Sequence, residues 1–231
     1  MSFSKIVGHN IYNFDLPYLT HFTTYNRGKG CQFLQPVRGK WWPEIFYDTM
    51  GWHIAGRQGA KFVGLNKLAK AFGLEGKKDN GKNFHLWDRS KQEEYLENDI
   101  VITNGIFEVI NETWNVCDNW MVFDIETAPL SLEELQKYIE PFDRDSVNVP
   151  KTYKKQEAID AYIDKAEDSY WPDILDKAAL EADTSVPVAI GYRHMDGSIE
   201  LDFGDPVALC NRFWENCEKV WHNEVTERNK L

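Results

Sequence analysis

The chain has 231 residues, 42% of them hydrophobic and 14% aromatic, with a net charge of −11. That is enough to bury a real core, and it excludes a disordered chain. It also argues against a protein that holds nucleic acid on a broad basic surface, though not against an enzyme that grips a short strand through metals and a local basic patch.

"KIVGHN" (5–10) reads as a short buried strand and "DLPYLTHF" (15–22) as a helix, with Pro17 in the first turn where a missing N–H is harmless. Residues 26–45, rich in Gly, Arg and Lys, read as a loop or hairpin. "EIFYDTMGW" (44–52) follows as strand then helix. In "GLNKLAKAFGLEGK" (64–77), Leu65, Leu68, Ala69 and Phe72 share a helical face and Gly73 is a natural stop. "KKDNGKN" (77–83) is a turn-rich loop.

A long helix is expected from Ser90, whose spacing to Glu93 is that of a capping box. Leu96, Ile100, Thr103, Phe107 and Ile110 keep the helical period. Residues 111–119 read as a polar connector, and "WMVFDIE" (120–126) as a buried strand. Ser131 and Glu134 cap a short helix. Residues 141–183 are charged and helical in pattern, with breaks expected at Pro150 and Pro172. "VPVAIGYRHMDGSIELDFG" (186–204) reads as a hairpin with a two-residue turn at Asp196-Gly197, and 206–220 as an amphipathic helix.

No stretch approaches the ~20 apolar residues of a membrane span. The opening Ser4-Lys5 is followed by only a short apolar run, unlike a secretory signal. The four cysteines form no C-x-x-C pair. Cys210 and Cys217 lie on one expected helix, roughly 10 Å apart along its axis, too far to bridge. Reduced cytoplasmic thiols are the simplest expectation.

Four acids stand out by context. Asp124 and Glu126 close an apolar strand, and residues two apart on a strand share a face. Asp15 lies where a strand becomes a helix. Asp99 follows Tyr95 by four residues, on one helical face. Converging carboxylates raise one another's pKa, and hard divalent cations relieve that repulsion. Each acid taken singly is more often structural than catalytic; the group in context is the signal.

"FDIET", "HNIYNFD" and "YLEND" resemble the three motifs of the DEDD superfamily of 3′–5′ exonucleases, in its tyrosine variant. "GLNKLAKAFGLEGKKDNGKN" is similar to the exonuclease of family-B DNA polymerases. The likeness covers 5–110 and 120–130 well, 186–220 in outline, and 131–183 not at all. In the family the D-x-E motif comes first, then the hairpin and a helix, then N-x-x-x-F-D and Y-x-x-x-D. Here the second and third motifs come first.

The resemblance therefore implies an α/β fold, an RNase H-like mixed sheet flanked by helices, in circularly permuted order. The chain is expected to be one exonuclease domain over 1–231, with 131–183 as a helical insertion. Asp124, Glu126, Asp15 and Asp99 would hold two Mg²⁺ or Mn²⁺, and Tyr95 would orient the attacking water. The expected substrate is the 3′ end of a single strand, DNA before RNA, and a DNA polymerase or replication complex is the suggested protein partner. Asn10, Phe14, Arg38, Lys40, Trp41 and Trp42 are the candidate strand contacts, the last four in a basic-aromatic stretch that begins at Arg27 and Lys29. Lys77, Lys78 and Lys82 form a second candidate patch. Two rival readings are an idle nucleic-acid- or polymerase-binding domain and an RNase H-like endonuclease.

Overall fold

The computed structural model describes residues 4–30, 44–55 and 62–228, with side chains through Val220. It divides into two compact units, 1–126 with 187–231, and 127–186.

The first unit begins with β1 (Lys5–Gly8) and α1 (Asp15–Tyr25), then β2 (Phe46–Asp48), α2 (Thr49–Ile54) and α3 (Leu65–Ala71). The long helix α4 (Arg89–Trp114) leads to β3 (Trp120–Pro129). The expected connector shrinks to 115–119, because α4 continues to Trp114 and stops only at a left-handed Asn115. The N-cap is Asp88, not Ser90: its carboxylate accepts the Lys91 N–H at 3.0 Å, so the helix begins earlier than the Ser90–Glu93 spacing suggests.

The sheet is mixed and five-stranded, in the order β2-β1-β3-β4-β5, where β4 is Ser185–His194 and β5 is Ile199–Phe203. β1 runs parallel to both β2 and β3, with Lys5, Ile6 and Val7 opposite Trp120, Met121 and Val122. β4 and β5 are antiparallel. Their turn is longer than the expected two residues. His194 N–H bonds to Ser198 O, and Gly197 sits at φ 86, the pattern of a three-residue turn.

Side-chain alternation along β3 sorts the two faces. Val122 joins the cluster built on Leu96, Ile100 and Phe107 of α4, and Trp120 donates to Asn104 on that helix at 3.0 Å. Phe123 points the other way, 4.8 Å from the ring of Phe213 on α7 (Pro206–Arg228). Asp124 and Glu126 have the parity of Val122, so they lie on the α4 face. α4 also runs close over β4: a Cβ at Gly191 would meet Ile100 Cδ1 at 2.1 Å. The expected α4 stripe of Leu96, Ile100, Thr103, Phe107 and Ile110 is buried throughout.

In the second unit, Ser131 and Glu134 form the expected capping box on α5 (Leu132–Leu135). Residues 131–183, expected as an insertion, lie wholly within this unit. Its main element is α6 (Gln156–Ala178), which carries Pro172 without breaking there. A proline removes one helical hydrogen bond, and a helix this long absorbs that loss. Arg144 pairs with Asp164 and Glu167 of α6, and Tyr170 donates to Glu140 O at 2.6 Å.

Cys117 and Cys210 are free and buried, and Cys217 is buried; Cys31 lies outside the described residues. No helix among the described residues is long and apolar enough to cross a membrane.

Candidate metal centre

β1 ends in a tight loop that delivers Asp15. Asn10 is left-handed, at φ 66, and its carbonyl accepts the N–H groups of Asn13 and Phe14. That turn is held by an acid from the next strand. Asp48 accepts the backbone N–H of Asn10 at 2.8 Å and of Tyr12 at 3.2 Å, and caps α2 through Met50 N–H at 2.9 Å. One buried carboxylate thus fixes the loop before α1 and the start of α2. Replacing Asp48 with alanine would leave three N–H donors without their acceptor. Asp48→Ala should lose about 2–4 kcal/mol of stability in urea unfolding; a loss under about 0.5 kcal/mol would remove this role.

His9 completes the loop. Its ring nitrogens lie 3.0 Å from Thr49 Oγ1 and 2.9 Å from Val63 O, and burial holds its pKa below the usual value.

The acids meet in one cavity of about 460 Å³, whose walls include Asp15, Tyr95, Asp99, Asp124 and Glu126. Asp99, Asp124 and Glu126 bring one carboxylate oxygen each to within 4.8 Å of one another. Asp15, the first residue of α1, is buried in the same cavity but outside that tight group. So α4, β3 and the β1–α1 loop, from opposite halves of the chain, each supply part of one site.

The electrostatics follow from burial. Desolvation pushes Asp124 well above the usual carboxylate range, reinforced by Glu126, Asp99 and Asp15. Glu126 is pushed up to about 8 by burial and then by Asp99. Asp15 is pushed up to about 7 by burial, against a hydrogen bond from its own backbone N–H. Burial also raises Asp99, opposed by the Lys77 ammonium and the Tyr95 hydroxyl. Burial and the three acids push the Tyr95 hydroxyl far above its ordinary value, so it stays a neutral O–H at neutral pH.

The residues fit a hard divalent cation. All donors are carboxylate oxygens, and two oxygens across an ion bound at 2.0–2.6 Å lie roughly 4–5 Å apart. Asp99 Oδ1 is buried and has no hydrogen-bond partner, an acceptor left over for a cation.

No protein-family model, curated protein or solved structure matches the chain.

Asn10 and Phe14, the candidate strand contacts, both line the cavity, and the backbone of Asn10 is committed to the loop. Arg27 and Lys29 are exposed beyond α1, while Arg38, Lys40, Trp41 and Trp42 lie outside the described residues. The three lysines expected as a second patch have different surroundings. Lys78 pairs with Glu94 at 2.8 Å on the surface and Lys82 is exposed, but Lys77 turns inward. It pairs with Asp99 and lies 4.7 Å from the centroid of the Tyr95 ring.

Sequence reading also missed Gly81. It sits at φ 74, and a Cβ there would meet the Tyr95 hydroxyl at 2.5 Å, so only glycine lets the 77–83 turn close over that tyrosine. The Asn-Gly pair in "KKDNGKN" was the available signal.

Proposed function

We propose that the chain is a metal-dependent 3′–5′ exonuclease acting on single-stranded nucleic acid, DNA before RNA. The observation that carries this reading is the convergence of Asp15, Tyr95, Asp99, Asp124 and Glu126 in one cavity, from three sequence contexts that each resemble a DEDD motif. Sheet order supports the permuted RNase H-like reading. Starting at β3, the next two strands add in sequence on one side, and β1 then β2 add on the other. That is the strand order expected of a chain in which the family order has been cut and rejoined, with the D-x-E strand moved to the middle.

In this mechanism Asp99, Asp124, Glu126 and Asp15 would hold two Mg²⁺ or Mn²⁺. Metal ions held there would supply activation of a water and stabilisation of the leaving oxygen. The neutral Tyr95 hydroxyl orients that water by a hydrogen bond. Its ring is fixed by Phe84 and Trp87, 5.8 and 5.4 Å away between centroids. Phe14 at the cavity wall offers a face to the terminal base, a contact that tolerates any sequence.

The deciding experiment is digestion of 5′-labelled single strands of DNA and RNA, with free or blocked 3′ ends, in Mg²⁺. A ladder shortening from the free 3′ end is expected. Internal cuts on blocked strands would identify an endonuclease instead, and intact strands throughout would leave a binding domain.

Tyr95→Phe keeps the ring and removes only the hydroxyl. It should slow turnover about 10²-fold while changing stability by under about 1 kcal/mol. An unaltered rate would take the hydroxyl out of the mechanism.

A further inference from the structure

Lys77 stands among the acids. Its side chain is only 21% exposed, and its ammonium is paired with Asp99 Oδ2. The backbone at this position is tethered, with Lys77 N–H donating to Asn66 Oδ1 at 3.2 Å, whereas the side chain above it is a flexible four-carbon stem. The carboxylate it neutralises is the one whose second oxygen is buried without a hydrogen-bond partner. It also belongs to the tight group with Asp124 and Glu126.

A divalent ion drawn to that group needs Asp99. It would meet the ammonium at short range, and like charges repel most strongly where water is scarce. The lysine stem is long and flexible, whereas the carboxylates are short side chains on α4 and β3, so the lysine is the group that yields.

We propose that Lys77 is an exchangeable counter-ion: its ammonium neutralises Asp99 when no divalent ion is bound, and leaves the carboxylate when one binds. The device spares the fold a set of bare, facing carboxylates. It also sets metal affinity, because every binding event must displace an internal cation. The proposal rests on reading the cavity as a metal centre.

The test uses the full chain without nucleic acid. An amine-acetylating reagent is applied with EDTA or with MgCl₂, and modification is read by mass spectrometry at Lys77 and at the exposed Lys67 and Lys70 of α3. Calorimetry measures Mg²⁺ binding to wild type, Lys77→Met and Lys77→Arg. Mg²⁺ should raise Lys77 modification severalfold and leave Lys67 and Lys70 unchanged. Lys77→Met should bind Mg²⁺ on the order of tenfold tighter, within the usual range of coupling between two ligands. Lys77→Arg, which keeps the pair, should show no such gain.

If Mg²⁺ binds while Lys77 modification stays level or falls, the exchange is wrong and the metal centre stands. If neither wild type nor Lys77→Met binds Mg²⁺, the metal centre itself fails and the exchange with it. The modification arm needs only wild-type protein, so a misfolded variant would not rescue the idea.

Discussion

Asp124→Ala should cost about 10³-fold or more in hydrolysis of single strands, and it should also raise the melting temperature of the metal-free protein. Both effects have one origin. Asp124 is desolvated and faces Glu126, Asp99 and Asp15, each of which opposes its charge. That arrangement suits a cation and strains the fold without one, as functional sites commonly do. The variant removes a candidate cation-binding carboxylate and the repulsion together. Digestion assays and thermal melts in EDTA check the two halves separately. A variant that digests at the wild-type rate would refute the site. Lost activity with an unfolded chain would refute the claim of strain.

The second large effect is on stability against pH. Asp15 is pushed up to about 7 and Glu126 to about 8, against roughly 4 for carboxyls in an unfolded chain. Between these values the fold holds protons that the unfolded chain has released, so stability falls as pH rises through the window. This contribution is whole below about pH 4 and gone above about pH 8. His9 acts in the opposite sense: it is held neutral in the fold, so acidification below about 6.5 works against it. The clean interval is therefore pH 6.5 to 8. Melts in EDTA should fall across it, and Glu126→Gln should flatten the fall. Mg²⁺ at a hundredfold excess over its Kd should add about 2.7 kcal/mol, a Tm rise of roughly 5–10 °C for a chain of this size. The rise should be larger at pH 8, where the ligands have fewer protons to lose. A melting temperature indifferent to both pH and Mg²⁺ would rule out a preformed cluster of buried acids.

What was legible in the sequence is what local periodicity controls. The α4 stripe follows from three-to-four spacing, and the shared face of Asp124 and Glu126 follows from the alternation of a strand. The pairing of β1 with the Asp124 strand followed from motif order, since the acids had to meet. Other features depend on contacts that spacing does not carry. Ser90 and Asp88 both have the chemistry of a cap, and only the starting point of the helix chooses between them. Asp48 reads as an acid at a strand end, and its grip on the Asn10 loop depends on a left-handed backbone in another element. Lys77 and Lys78 are identical neighbours in a turn-rich loop. The turn geometry that Gly81 permits against Tyr95 accompanies one lysine directed inward and one on the surface.

The pairing of β1 with β3 has a consequence for synthesis. Ile6 and Val7 have no exposed surface in the finished fold, and their partners on one side, Met121 and Val122, are translated long after them. Until then β1 has β2 on one edge and bare backbone on the other, which is an invitation to pair with another chain. Sheets assembled from such distant segments close slowly. A chain made only as far as Trp114 would therefore already carry Asp15, Lys77, Tyr95 and Asp99, with one edge of β1 unpaired and without Asp124 and Glu126. The order of the segments leaves the nascent half with an unpaired strand edge and an incomplete acid cluster until the second half has been made.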